Sequence, residues 1–121
     1  MLQIQVIEQE VNQLNYQLEL IDHNLSELNE LKSSLNEIEK KETKSILTNL
    51  GKKIYLPVDI TDKKLLVNVG NKHFVKKTIP ETNKIVDEQV KKLSAGKTEI
   101  LYRLEALNQE IENLMHNTEK E

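Results

Sequence analysis

The side chains that could do chemistry in this 121-residue chain are three histidines, His23, His73 and His116, and an abundance of glutamate and lysine. The histidines lie far apart in sequence. At i+3 or i+4 from each, the only other ligand types are acids of the kind any polar helix carries, so no metal-ligand spacing is present. The absence of cysteine removes disulfides, thiolate nucleophiles and cysteine-ligated metals. No glycine-rich phosphate loop, nucleophile elbow or HExxH sequence occurs. The glutamates fall where helices would hold them in solvent, and nothing there would raise a carboxylate pKa toward catalytic use. The residues predict no catalytic group, no metal, no cofactor and no enzymatic activity.

Composition points instead to an extended, helical molecule. There is no tryptophan, one phenylalanine (Phe74) and three tyrosines (Tyr16, Tyr55, Tyr102), too few aromatics for a deep ligand pocket. The net charge of −3 conceals segregation. Residues 1–39 sum to −7, residues 40–98 to +8 and residues 99–121 to −4. Solvation is the favoured role for the acidic ends. The basic middle, with only Tyr55 and Phe74 as aromatics, lacks the stacking platform of a single-strand binder, so nucleic acid is disfavoured as a partner. The N-terminus lacks the features of a signal peptide, and no apolar run reaches membrane-spanning length, so a cytoplasmic protein without membrane contact is expected.

The elements that must position these residues follow from periodicity. Ile4, Ile7, Val11, Leu14, Leu18, Ile21, Leu25 and Leu28 repeat at strict 3-4 spacing, which places them on one helical seam. The frame then wants an apolar residue at Lys32; reading Leu31, Leu35 and Ile38 as the continuation implies a three-residue stammer. Val86, Val90, Leu93, Ile100, Leu104, Leu107, Ile111 and Leu114 form a second seam, with Lys97 in frame and Gly96 beside it. Thr78 and Glu81 have capping-box spacing, and Pro80 suits a first turn. Each helix spans about 38 residues, or about 57 Å. Equal lengths joined by a short insert predict an antiparallel hairpin folded about residue 61, with pairing between chains as the alternative.

The insert changes period. Ile46, Thr48 and Leu50 alternate with Leu47 and Asn49, and Ile54, Leu56, Val58 and Ile60 form a period-2 face. Gly51-Lys52 and Gly70-Asn71 are turn signals, and Leu65, Val67 and Val69 followed by His73, Phe74 and Val75 complete a second hairpin. Pro57 confines its strand to an edge. The expected fold class is α+β: a long antiparallel two-helix coiled coil with two β-hairpins inserted between the helices. The segments are 1–43 for the first coil helix, 44–79 for the double hairpin and 80–121 for the second coil helix. Hairpins this small need cover, which the narrow coil does not supply, so the insert should assemble with copies of itself or with another subunit.

The segment Leu50-Gly51-Lys52-Lys53-Ile54-Tyr55-Leu56-Pro57 resembles the "LG-x-x-Y-V-P" strand of the α-type prefoldin subunits, the group of archaeal prefoldin α and eukaryotic prefoldin subunit 5. Lys64-Leu65-Leu66-Val67-Asn68-Val69-Gly70 with His73-Phe74-Val75-Lys76-Lys77 is similar to that family's "KVLVDVG…YYVEK" hairpin. Asn68 stands where the family usually has Asp, and Lys76 where it has Glu. The resemblance implies a hexamer of two α-type and four β-type subunits with the hairpins forming a β-barrel platform. It further implies ATP-independent holding of unfolded client proteins at the coiled-coil tips and their delivery to a ring chaperonin.

On that basis the expected client-binding residues are Leu2, Ile4, Val6, Ile7, Val11, Leu107, Ile111, Leu114 and Met115. Leu2, Val6 and Met115 are not needed by the seam, and flexible methionine suits promiscuous contact. The expected oligomer interface comprises Ile54, Tyr55, Leu56, Val58, Leu65, Val67, Val69, Phe74 and Val75. The competing reading is a coiled-coil scaffold or adaptor that holds no client.

Overall fold

The computed structural model describes residues 2–40 and 42–120, with side chains through residue 117. Residues 1, 41 and 121, which the expected segments include, lie outside the described residues. The element order is α1 (Leu2–Glu39), β1 (Ser45–Gly51), β2 (Ile54–Asp59), β3 (Leu65–Gly70), β4 (His73–Lys77) and α2 (Ile79–Lys120). The expected α+β class, two long helices with two small antiparallel hairpins between them, is the observed one. The chain divides into two compact units, Met1–Glu27 with Val90–Glu121, and Leu28–Gln89.

In the first unit the two helices run antiparallel. Glu10 receives Arg103, whose Nε and Nη2 reach the two carboxylate oxygens at 3.0 and 3.3 Å. Further along, Asp22 receives Lys97 at 2.7 Å. Hydrogen bonding to Glu10, and then its charge, push the Arg103 guanidinium above its ordinary pKa. Ile7 and Leu107 are buried between the helices, Leu107 to 1% exposure. In the second unit Leu35, Ile79 and Val86 are the buried apolar side chains, and Lys32 of α1 pairs with Asp87 of α2. The pairs Asp22–Lys97 and Lys32–Asp87 place the fold-back point at about residue 59, slightly before the expected 61.

The expected three-residue step does not fall at Leu31; it falls between Leu35 and Ile38, since Ile38 is half-buried and Glu39 exposed. Lys32 is half-buried at its frame position, Leu35 is buried, and Leu31 is exposed. The physical reason is that lysine is amphipathic. Its aliphatic stem can line the seam while its ammonium reaches a carboxylate on the opposite helix. Lys97 does the same in α2, so each helix carries one in-frame lysine answered by an aspartate of the other.

Local signals delimit the elements. Thr78 accepts from the Glu81 N–H at 3.2 Å and donates its hydroxyl to Glu81 Oε1 at 2.9 Å, which fixes the start of α2. Beyond the end of α1, the Lys40 carbonyl accepts from both Thr43 N–H and Lys63 Nζ, at 3.1 and 2.6 Å. The lysine also places a cation at the negative end of the helix dipole.

The hairpins are separate two-stranded sheets built to one plan. Hairpin 1 pairs Ile46 with Val58, Leu47 with Pro57, Thr48 with Leu56 and Asn49 with Tyr55. Hairpin 2 pairs Leu65 with Lys77, Leu66 with Lys76, Val67 with Val75 and Asn68 with Phe74. The turns sit one residue later than the sequence suggested. Lys52-Lys53 and Asn71-Lys72 are the central pairs, all at positive φ, which is the type I′ pattern. Gly51 and Gly70, at φ +108° and +119°, instead follow a bulge that leaves Leu50 and Val69 as the extra residues. In both hairpins the asparagine two positions earlier accepts the glycine N–H, at 2.8 Å for Asn49 and 2.9 Å for Asn68. Asn49-Leu50-Gly51-Lys52-Lys53 and Asn68-Val69-Gly70-Asn71-Lys72 are therefore one structural unit used twice.

Candidate functional site

The largest concentration of uncovered apolar side chains lies on the hairpins. Leu47, Leu50, Ile54, Tyr55 and Leu56 of hairpin 1 are exposed, as are Leu66, Val69, Phe74 and Val75 of hairpin 2. Register sorts them by face. Ile46 with Val58, and Leu65 with Val67, form half-buried faces. The opposite faces hold Leu47 and Tyr55 in one hairpin and Leu66 and Phe74 in the other, all in solvent. Each strand also has one unpaired edge, because each sheet has only two strands. Apolar residues on both faces and free backbone on both edges are features of surfaces that associate.

A second apolar surface is at the end of the first unit that carries the chain termini. Leu2, Gln3, Val6, Ile7 and Glu110 line a shallow groove. Leu2 and Val6 are exposed to 76% and 58%, and Met115 is exposed on α2. Along the same unit Tyr16 and Leu20 line a second open groove with Asn12, Gln13 and Gln17. Among the described residues, no group of three or more His, Asp or Glu side chains gathers as a metal site would require, and no helix is long and apolar enough to cross a membrane.

Comparison with protein families matches residues 7–121 to the prefoldin subunit family. The chain belongs to the prefoldin family. Among solved structures, a chain of filamentous prefoldin from Methanocaldococcus jannaschii, determined by cryo-electron microscopy, superposes with a TM-score of 0.76. That match has 18% sequence identity and covers 94% of this chain and 96% of the other, so it establishes a shared fold. No curated protein matches the sequence.

Within this prefoldin chain the residues expected at the coil end separate into two groups. Ile7 and Leu107 are buried and Ile4, Val11 and Ile111 half-buried, so they serve the seam; Leu114 is half-buried as well. Leu2, Val6 and Met115 offer open surface. Of the residues expected at the oligomer interface, Ile54, Tyr55, Leu56, Val69, Phe74 and Val75 are exposed, while Val58, Leu65 and Val67 are half-buried; Leu56 shares a face with Val58, and Val75 with Val67. Sequence reasoning left out Leu47, Leu50 and Leu66, which are as exposed as any of these. Their signal was present in the 19-residue offset between the two Asn-x-Gly turns, which aligns Leu47 with Leu66 and Leu50 with Val69. It also left out Tyr16, Leu20, Leu101 and Tyr102, exposed apolar positions that the helical seams do not use.

Proposed function

We propose that this chain is an α-type prefoldin subunit, an ATP-independent holdase that captures unfolded proteins at its coil ends and passes them to a ring chaperonin in the cytoplasm. The observation that carries this reading is the doubled hairpin. Two copies of one structural unit, each with uncovered faces and edges, give the chain two near-equivalent docking sites for a partner hairpin. A partner subunit with a single hairpin would then join at two per chain, which supports a hexamer of two α-type and four β-type subunits. The uncovered Leu2, Val6 and Met115 supply a client surface that the seam does not need.

Native mass measurement of the chain alone, and then mixed with a β-type subunit from the same source, tests the assembly. Suppression of light scattering from a chemically unfolded client, without nucleotide, tests holding. A hexamer that gives no protection would leave the scaffold reading in place. A second reading, an open polymer of this chain alone, is supported by the free edges on both hairpins, and the M. jannaschii protein with this fold is filamentous. A ladder of masses from the pure chain would favour it.

A further inference from the structure

The groove lined by Leu2, Gln3, Val6 and Ile7 also has a carboxylate in its lining, Glu110, and the segments that form it are strongly acidic. No lysine or arginine occurs between residues 1 and 31 or between residues 104 and 119. Arg103, the cation next along α2, is held by Glu10 through two hydrogen bonds. Glu8, Glu105, Glu110 and Glu112 are exposed and, among the described residues, none is held in a salt bridge, although the charge of Glu110 also acts on Arg103. Lys120 lies beyond, flanked in sequence by Glu119 and Glu121. Apolar side chains in open water beside an excess of carboxylates make a surface that attracts one kind of polypeptide and repels another.

We propose that the coil end selects unfolded segments in which apolar side chains are flanked by lysine or arginine. The inference rests on the holdase reading and names the class of client that reading leaves open. The apolar part of such a segment lies against the exposed Leu2 and Val6, while its flanking cations meet Glu110 and the exposed glutamates near it in sequence. A segment flanked by acids meets the same apolar surface against like charge. Each exposed charge contact is weak, but two or three acting together separate the two kinds of segment by roughly tenfold in affinity. The selection is electrostatic and between exposed groups, so salt should erase it while leaving the apolar contact.

Two fluorescent peptides with one shared apolar core, flanked either by lysines or by glutamates, test the proposal by anisotropy against the full-length chain. At low salt the lysine-flanked peptide should bind about tenfold tighter, with the difference shrinking to about twofold at roughly 0.5 M salt. Glu8→Gln, Glu110→Gln and Glu112→Gln together should remove the difference while leaving the glutamate-flanked peptide bound at least as well. All three positions are exposed, so helicity should be unchanged. Equal binding of both peptides, lost on deleting residues 2–8, would overturn the charge selection and leave the holdase reading standing. Discrimination that persists in the triple variant would overturn this site. Binding of neither peptide would overturn the holdase reading and, with it, the selection.

Discussion

At the scale of single residues, Lys32 and Lys97 set the character of the coil. Both occupy seam positions, both keep roughly a third of the side chain in solvent, and both reach an aspartate of the other helix. Polar residues in a seam generally fix register and pairing at a cost in stability. Replacing both with leucine should therefore raise the urea midpoint. It should also permit helix pairing between chains, visible as dimers in a mass measurement at high concentration. Asp22 and Asp87 are themselves more than half exposed, so neither is left buried without a partner. Sequence reading saw both lysines in frame but moved the seam to Leu31. The carboxylate that holds Lys32 in place is 55 residues away, and no local pattern announces it. Gly96 is a different case. A β-carbon there would meet only Ile21 Cδ1 at 3.9 Å, an ordinary contact. Gly96→Ala should stabilise the coil by about 1 kcal/mol, read as a rise in the denaturation midpoint, because helix propensity acts without a steric penalty.

At the scale of elements, the helices were legible because their 3-4 period runs over many turns, the strands because the period changes to two between turn signals, and the α2 cap because its signal lies within four residues. The turns were less legible. Glycine invites reading as the first central residue of a turn, whereas the central residues here are Lys52-Lys53 and Asn71-Lys72, and lysine is a weak signal for positive φ. The glycines are required one step earlier, at φ values that residues with a β-carbon rarely adopt. There is open space around both, so any penalty for alanine is conformational rather than steric. Gly51→Ala and Gly70→Ala should each weaken their hairpin by about 1–2 kcal/mol. Hydrogen exchange should quicken in the strands of the affected hairpin and stay unchanged in the other, since the two sheets share no ladder.

At the scale of the whole molecule, the exposed hairpin faces separate assembly from folding. Leu47 and Leu66 occupy equivalent places and are exposed in the single chain, so Leu47→Asp with Leu66→Asp should leave circular dichroism unchanged. In an assembly the same side chains would be covered, and burying two unpartnered carboxylates would cost several kcal/mol. Partner binding measured by native mass should then fail while the monomer remains folded. The apolar character of the hairpins was readable from the alternating pattern of residues 46–75, and two-stranded sheets are too small to cover such faces themselves. Which face stays uncovered was not readable. Both faces of each hairpin carry apolar residues, and only the register shows which is half-buried against its own chain.

In the proposed assembly the repetition of one hairpin would give the molecule a valence. A chain with both hairpins intact would be joined on two sides. One carrying only Leu66→Asp could be joined on one side alone and would act as a terminator. Mixed with the unaltered chain, a small fraction of terminators should shorten an open polymer in proportion to its dose. In a closed assembly of fixed size it should instead produce a discrete population of incomplete particles. Titrating the singly disabled chain thus reports whether assembly ends by closure or by chance.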